Sequence, residues 1–106
     1  MGREIFDLQA DILKALGHPT RVRIVEGLRG GKRCVCEIMA ELQLEQSNVS
    51  QHLAVLKRAG VLGSRKDGMK VMYWVNHPEV FDLLDTLQEM VVRRVREQVR
   101  LLGHVK

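Results

Sequence analysis

Few cysteines, no long apolar run and no low-complexity tract: each shortage narrows what this chain can be. No stretch approaches the roughly 20 apolar residues that span a bilayer, so no membrane association is expected. No repeat of solenoid period is visible. The opening "MGREIFDLQADIL" carries Glu4, Asp7 and Asp11 and does not resemble a signal or transit peptide, so the expected location is cytoplasmic. The 106 residues hold only two cysteines, Cys34 and Cys36. In a reducing compartment such a pair reads as metal-binding or redox-active rather than as a disulfide framework. The length suits one domain over 1–106 with a modest core, short of comfortable stability as a monomer. A net charge of +4 is compatible with a polyanionic partner but too mild to establish one.

Apolar periodicity then lays out the elements. Ile5, Leu8, Ile12 and Leu16, with Leu13 alongside, make one stripe of a first helix, which "GHP" ends. Pro19 suits the first turn of a second helix, carrying Val22, Ile24, Val25 and Leu28 and stopped by Gly30-Gly31. Val35, Ile38, Met39 and Leu42 mark a short third helix. After the "QLE" turn, "QSNVSQHLAVLKRAG" forms a fourth, with Val49, Leu53 and Leu56 as its buried stripe. The period then drops to two: "VLGSRKDGMKVMYWV" alternates around Asp67-Gly68 as a hairpin. Val71, Tyr73 and Val75 face one way; Lys70, Met72 and Trp74 face the other. A long last helix carries Val80, Leu84, Leu87, Val91, Val95, Val99 and Leu102.

This order gives a mainly α fold with a small β-hairpin wing, a winged helix-turn-helix, with the helix-turn-helix over about 34–59 and the wing over about 61–76. The second helix of such a pair fits the DNA major groove. Its polar face offers Ser47, Gln51 and Arg58, flanked by Asn48 and Ser50, with Gln46 at its start. Gln51 and Asn48 are able to pair bidentately with adenine. Arg65, Lys66 and Lys70 surround the hairpin turn, where phosphates or a minor groove would lie. His52 lies near the buried stripe and suits packing or hydrogen bonding better than base reading. Trp74, facing outward on the wing, has no role in this scheme.

Three stretches, "LKALGHPTRVRIVEGL", "CVCEI" and "SNVSQHLAVLKRAGVLGSRKDGMKVMYWV", resemble the ArsR/SmtB family of metal-sensing bacterial repressors across nearly the whole chain. The resemblance implies a homodimer, joined through terminal helices at about 3–16 and 78–102. It further implies binding to double-stranded operator DNA and release on contact with a toxic ion. An enzyme is not expected.

The arsenic-responsive branch carries Cys-Val-Cys-Asp-Leu-Cys where this chain has Cys34-Val35-Cys36-Glu37-Ile38-Met39. The resemblance thus points to Cys34 and Cys36 as ligands for trivalent arsenic, As(III), with the third thiol replaced by a thioether. A methylated organoarsenical needs only two thiols. Cd(II), Pb(II), Zn(II) and Hg(II) stay open, with extra ligands from His18, His104 or a second subunit. On a regular helix, residues i and i+2 lie about 200° apart, so the two sulfurs are expected to diverge unless the first turn unwinds or was never helical. That unwinding would link binding to DNA release. Lys32, Arg33 and a helix N-terminus would favour the thiolate. Half of the family's other metal site is present, as His77 and Glu79, but Met90 and Arg93 stand at the second pair. His18 and His77, each before a proline, suit helix capping. Two rivals remain: a repressor switched by Cys34–Cys36 oxidation, and a thiol-disulfide exchange enzyme. The enzyme is disfavoured because such enzymes use Cys-x-x-Cys after a strand.

Overall fold

The computed structural model describes residues 3–103. Its elements run α1 (Ile5–Leu16), α2 (Pro19–Gly27), β1 (Arg33–Cys34), α3 (Val35–Leu42), α4 (Gln46–Arg58), β2 (Leu62–Asp67), β3 (Lys70–Val75) and α5 (Glu79–Gly103). This is the expected winged helix-turn-helix with one addition. The wing is not two-stranded: β1 pairs antiparallel with β3, giving the order β1-β3-β2.

Local chemistry sets the helix ends. His18 caps α2 as its Nδ1 accepts from the Thr20 amide at 3.1 Å, and Pro19 opens the helix where a missing N–H costs nothing. Cys34 caps α3 in a reciprocal box: its sulfur accepts from the Glu37 amide, and the Glu37 carboxylate accepts from the Cys34 amide. α3 ends at Gln43, whose left-handed φ of 56° turns the chain into α4. The hairpin loop is Gly68–Met69, one residue later than the sequence suggested, with Gly68 at the positive φ that a tight turn requires.

The core lies where α2, α3, α4 and the strand bases meet. Val49, Leu53 and Leu56 of α4 pack with Ile24, Val25 and Leu28 of α2, Ile38 of α3, and Val61 and Leu62. Tyr73 and Val75 close it from β3. Arg29, just past α2, reaches α5: it pairs with Asp85 at 2.9 Å and lies over the Phe81 ring. This ties the end of α2 to the start of α5. The stripes of α1 and the distal half of α5 are not buried: Ile5, Phe6, Leu8, Leu13, Leu87, Val91, Val95 and Val99 are all exposed.

Candidate nucleic-acid interface and thiol pair

α4 buries its apolar stripe to at most 1% exposure, which fixes its rotation and turns the opposite face to solvent. Ser47, Asn48, Ser50 and Gln51 all lie exposed near its start. Gln46 opens the helix, and its side chain lies outside those described. Arg58 is exposed too, but eleven residues on, about 16 Å along the axis. There it lines a groove with Asp11, Lys14 and Arg21 rather than joining the N-terminal set. On the wing, Arg65, Lys66 and Lys70 are exposed. Among the described residues, none of these exposed side chains is engaged in an ion pair or a side-chain hydrogen bond with the protein.

His52 does not read outward. It hydrogen-bonds through Nδ1 with Arg21 at 3.3 Å, and its ring tilts against His18 with centroids 4.4 Å apart. Burial, then the nearby His18 and Arg21, lowers its pKa from the ordinary value. Arg21 also donates to the carbonyls of Ala15 and Lys14, so this one side chain ties α1, α2 and α4 together. Sequence reading missed Arg21 because nothing in its spacing separates a buried-facing arginine from a solvated one.

The thiols overturn the helical expectation. Cys34 is not on α3: it is the last residue of β1, with extended backbone at φ −81° and ψ 160°, and only Cys36 lies within the helix. That extended step turns Cys34 back toward Cys36, with Cα atoms 5.3 Å apart and the two sulfurs joined as a disulfide. α3 remains helical from Val35 with its capping box intact. Of the two ways the sulfurs could meet, the structure shows the second: the chain at Cys34 is extended rather than helical, so the pair comes together without unwinding α3. Cys34 is buried and Cys36 exposed. Arg33 does not stand free beside them, because it pairs with Glu41 and lies near Glu37.

An open cleft of about 720 Å³ starts at the pair. Val35, Met39 and Ala40 line it from α3, Ser50 from α4, and Met69, Lys70 and Tyr73 from the wing. Met39 also packs against the core. The donor set is thus two sulfurs with a thioether nearby, which suits a ligand taking two thiolates. It does not suit four-coordinate zinc within one protomer. Among the described residues, no three His, Cys, Asp or Glu side chains gather as a metal cluster. His18 is occupied as a cap, and His104 lies outside the described residues. Among the described residues, too, no helix is long and apolar enough to cross a membrane.

A two-helix unit with its second helix turned outward and a basic hairpin beside it, with no cation of either engaged among the described residues, defines a winged helix-turn-helix DNA-binding regulator. The comparisons name its kind. The family model "Bacterial regulatory protein, arsR family" matches residues 18–64. The HTH-type transcriptional regulator Rv0081 of Mycobacterium tuberculosis (strain H37Rv) is 37% identical over 103 residues, 96% of this chain and 90% of its own. This chain belongs to the arsR family of bacterial regulators.

Other relatives include the HTH-type transcriptional repressor SmtB of Mycobacterium tuberculosis, 45% identical over 67% of this chain and 53% of its own. The arsenic resistance transcriptional regulator ArsR1 of Pseudomonas putida is 40% identical over 76% of this chain and 63% of its own. Among solved structures, the Rv0081 crystal structure superposes with a TM-score of 0.79 at 36% identity, covering 92% of this chain and 99% of that one. The homodimeric winged helix-turn-helix DNA-binding domain Mb0332 of Mycobacterium bovis gives 0.78 at 25% identity, covering 88% and 86%.

Proposed function

We propose that this regulator binds an inverted-repeat operator as a homodimer, represses from it, and lets go when a thiophilic species bridges Cys34 and Cys36. The observation that carries this reading is the convergence of the two sulfurs at one end of a cleft shared by α3, α4 and the wing. An adduct there occupies space between Ser50 of the reading helix and Lys70 of the wing, so it acts on both DNA-contacting elements at once. β1 adds a direct link, since Cys34 pairs with Met72 of β3. The coupling runs through the cleft and the strand pairing, with α3 as a rigid support.

Trivalent arsenic carrying one methyl group fits this donor set best. Condensation of CH3As(OH)2 with two thiols releases two waters and satisfies both remaining arsenic valences. Inorganic As(III) needs a third donor that Met39 supplies poorly, whereas Cd(II), Pb(II) and Zn(II) need ligands from elsewhere and Hg(II) competes for the same two sulfurs. The relatives named for arsenic resistance and as SmtB support a thiophilic or metal inducer in general. A second reading is favoured by the sulfur–sulfur bond itself: two thiols pass two electrons and two protons to a peroxide, giving the disulfide and two waters. The homodimer is supported by the exposed apolar stripes of α1 and α5 and by the homodimeric Mb0332 domain.

The test is release from the promoter of its own gene in a gel shift, challenged separately with arsenite, methylarsenite, Cd(II), Zn(II) and peroxide. Methylarsenite should release the wild type at the lowest concentration, and the C34S/C36S double variant should bind normally but never release. Release by peroxide alone selects the redox reading. A double variant that releases like wild type rejects thiol control altogether.

A further inference from the structure

We infer that the outer face of the wing carries a second DNA-backbone site, built by Lys32, Arg65 and Lys66 around the indole of Trp74. It would grip sugar-phosphate beyond the groove read by α4. This rests on the operator-binding reading above and extends it to residues outside the reading helix.

The strand order creates the site. Lys32 immediately precedes β1 on one edge of β3, while Arg65 and Lys66 belong to β2 on the other edge. All three line one concave cleft of about 320 Å³, with Asp67, Met72 and Trp74. Three cations face a single carboxylate there. Among the described residues, the ion pairs form elsewhere, at Arg3, Arg29 and Arg33. A cleft with that imbalance is suited to a polyanion.

Trp74 supplies the second observation. It is half-buried yet takes no part in the hydrophobic core. Opposite it in register stands Gly63, and a Cβ there would lie 2.5 Å from the indole Nε1. Only glycine lets the ring lie this close to β2. Trp74 Nε1–H donates to Asn76 Oδ1 at 3.1 Å, and the Asn76 amide donates to the Gly60 carbonyl at 3.1 Å. The ring is thus locked in place at the cleft without adding to the core. A fixed aromatic surface ringed by cations suits a deoxyribose and its flanking phosphates, with the apolar ring against the sugar and the cations on the oxygens. DNA is the occupant favoured over a small anion because the cleft shares Arg65 and Lys66 with the wing tip, so it continues the DNA-binding surface proposed above.

The experiment uses Trp74 as its own reporter, since it is the only tryptophan. Wild type, K32A and G63A are titrated with operator and with random duplex DNA across a salt series, following tryptophan emission and affinity. The inference expects Trp74 emission to change on DNA binding. K32A should weaken both duplexes alike and shallow the slope of log K against log salt by about 0.9, the value of one phosphate contact. G63A, which displaces the ring, should lower affinity with the slope kept. Flat emission together with a wild-type slope for K32A overturns the inference while leaving the reading helix intact. Inorganic phosphate that quenches Trp74 while K32A keeps its slope makes this a small-anion pocket and likewise overturns it. Wild type that binds no operator at all removes the operator reading, and this inference falls with it.

Discussion

Gln51 and Lys66 are both exposed and both face outward, yet their loss should be read differently by DNA. On the proposed operator reading Gln51 meets a base edge, so Gln51→Ala should cost about 1–3 kcal/mol on the cognate operator and little on random DNA. Lys66→Ala should weaken every sequence alike and flatten the salt dependence. Fluorescence anisotropy on both duplexes at several salt concentrations separates the two; equal losses on both from Gln51→Ala would show that α4 does not read bases. His52 yields a different residue-scale prediction. Its pKa is lowered in the fold, so below the ordinary value of 6.5 the unfolded chain binds the proton first. Its contribution to stability is present above that value and is lost as the pH falls toward the lower folded pKa. Thermal unfolding of wild type should therefore weaken from pH 7.5 to 5.5 more steeply than that of His52→Gln. Parallel pH profiles would show that His52 protonation is not coupled to folding.

At the scale of elements, what was legible depended on length and period. α4 was readable because Val49, Leu53 and Leu56 repeat over about two turns, and β2–β3 because alternation runs across both strands around a glycine turn. β1 was not, since two residues carry no period, and its existence depends on a distant partner: Arg33 faces Tyr73 and Cys34 faces Met72. That single unreadable pairing is what misplaced the thiols. Continuing the helical period of Val35, Ile38 and Met39 back through Cys34 made the sulfurs diverge, whereas strand pairing holds Cys34 extended and brings them together. The residues of the site were visible in the sequence, but the geometry joining them is tertiary. The α4 stripe also has a measurable weight. Leu56 is fully buried, so Leu56→Ala should cost about 2–5 kcal/mol, seen as a Tm lowered by about 10 °C or more at fixed protein concentration. A change under about 0.5 kcal/mol would mean that α4 is not anchored by this stripe.

For the whole molecule, the arrangement of apolar surface makes DNA binding and association one problem. Within one protomer α5 buries only Val80 and Leu84, while Leu87, Val91, Val95 and Val99 continue the stripe into solvent, and Ile5, Leu8 and Leu13 of α1 are exposed as well. Single exposed apolar residues are ordinary, but a continuous stripe along a 25-residue helix is a surface awaiting a partner. A second copy supplies two reading helices at fixed separation, and an inverted repeat then engages both, the second contact being effectively intramolecular. Val95 is 50% exposed in the protomer, so a charge placed there should leave the fold of one chain intact and be costly only where two chains meet. Val95→Glu should give a helical monomer by sedimentation and circular dichroism. Operator affinity should fall by about 10²–10⁴-fold, the advantage that linked binding confers, while affinity for an isolated half-site should barely change. A dimeric Val95→Glu protein with full operator affinity would move the interface off this stripe, and the basis for two coupled reading helices would have to be sought on another face.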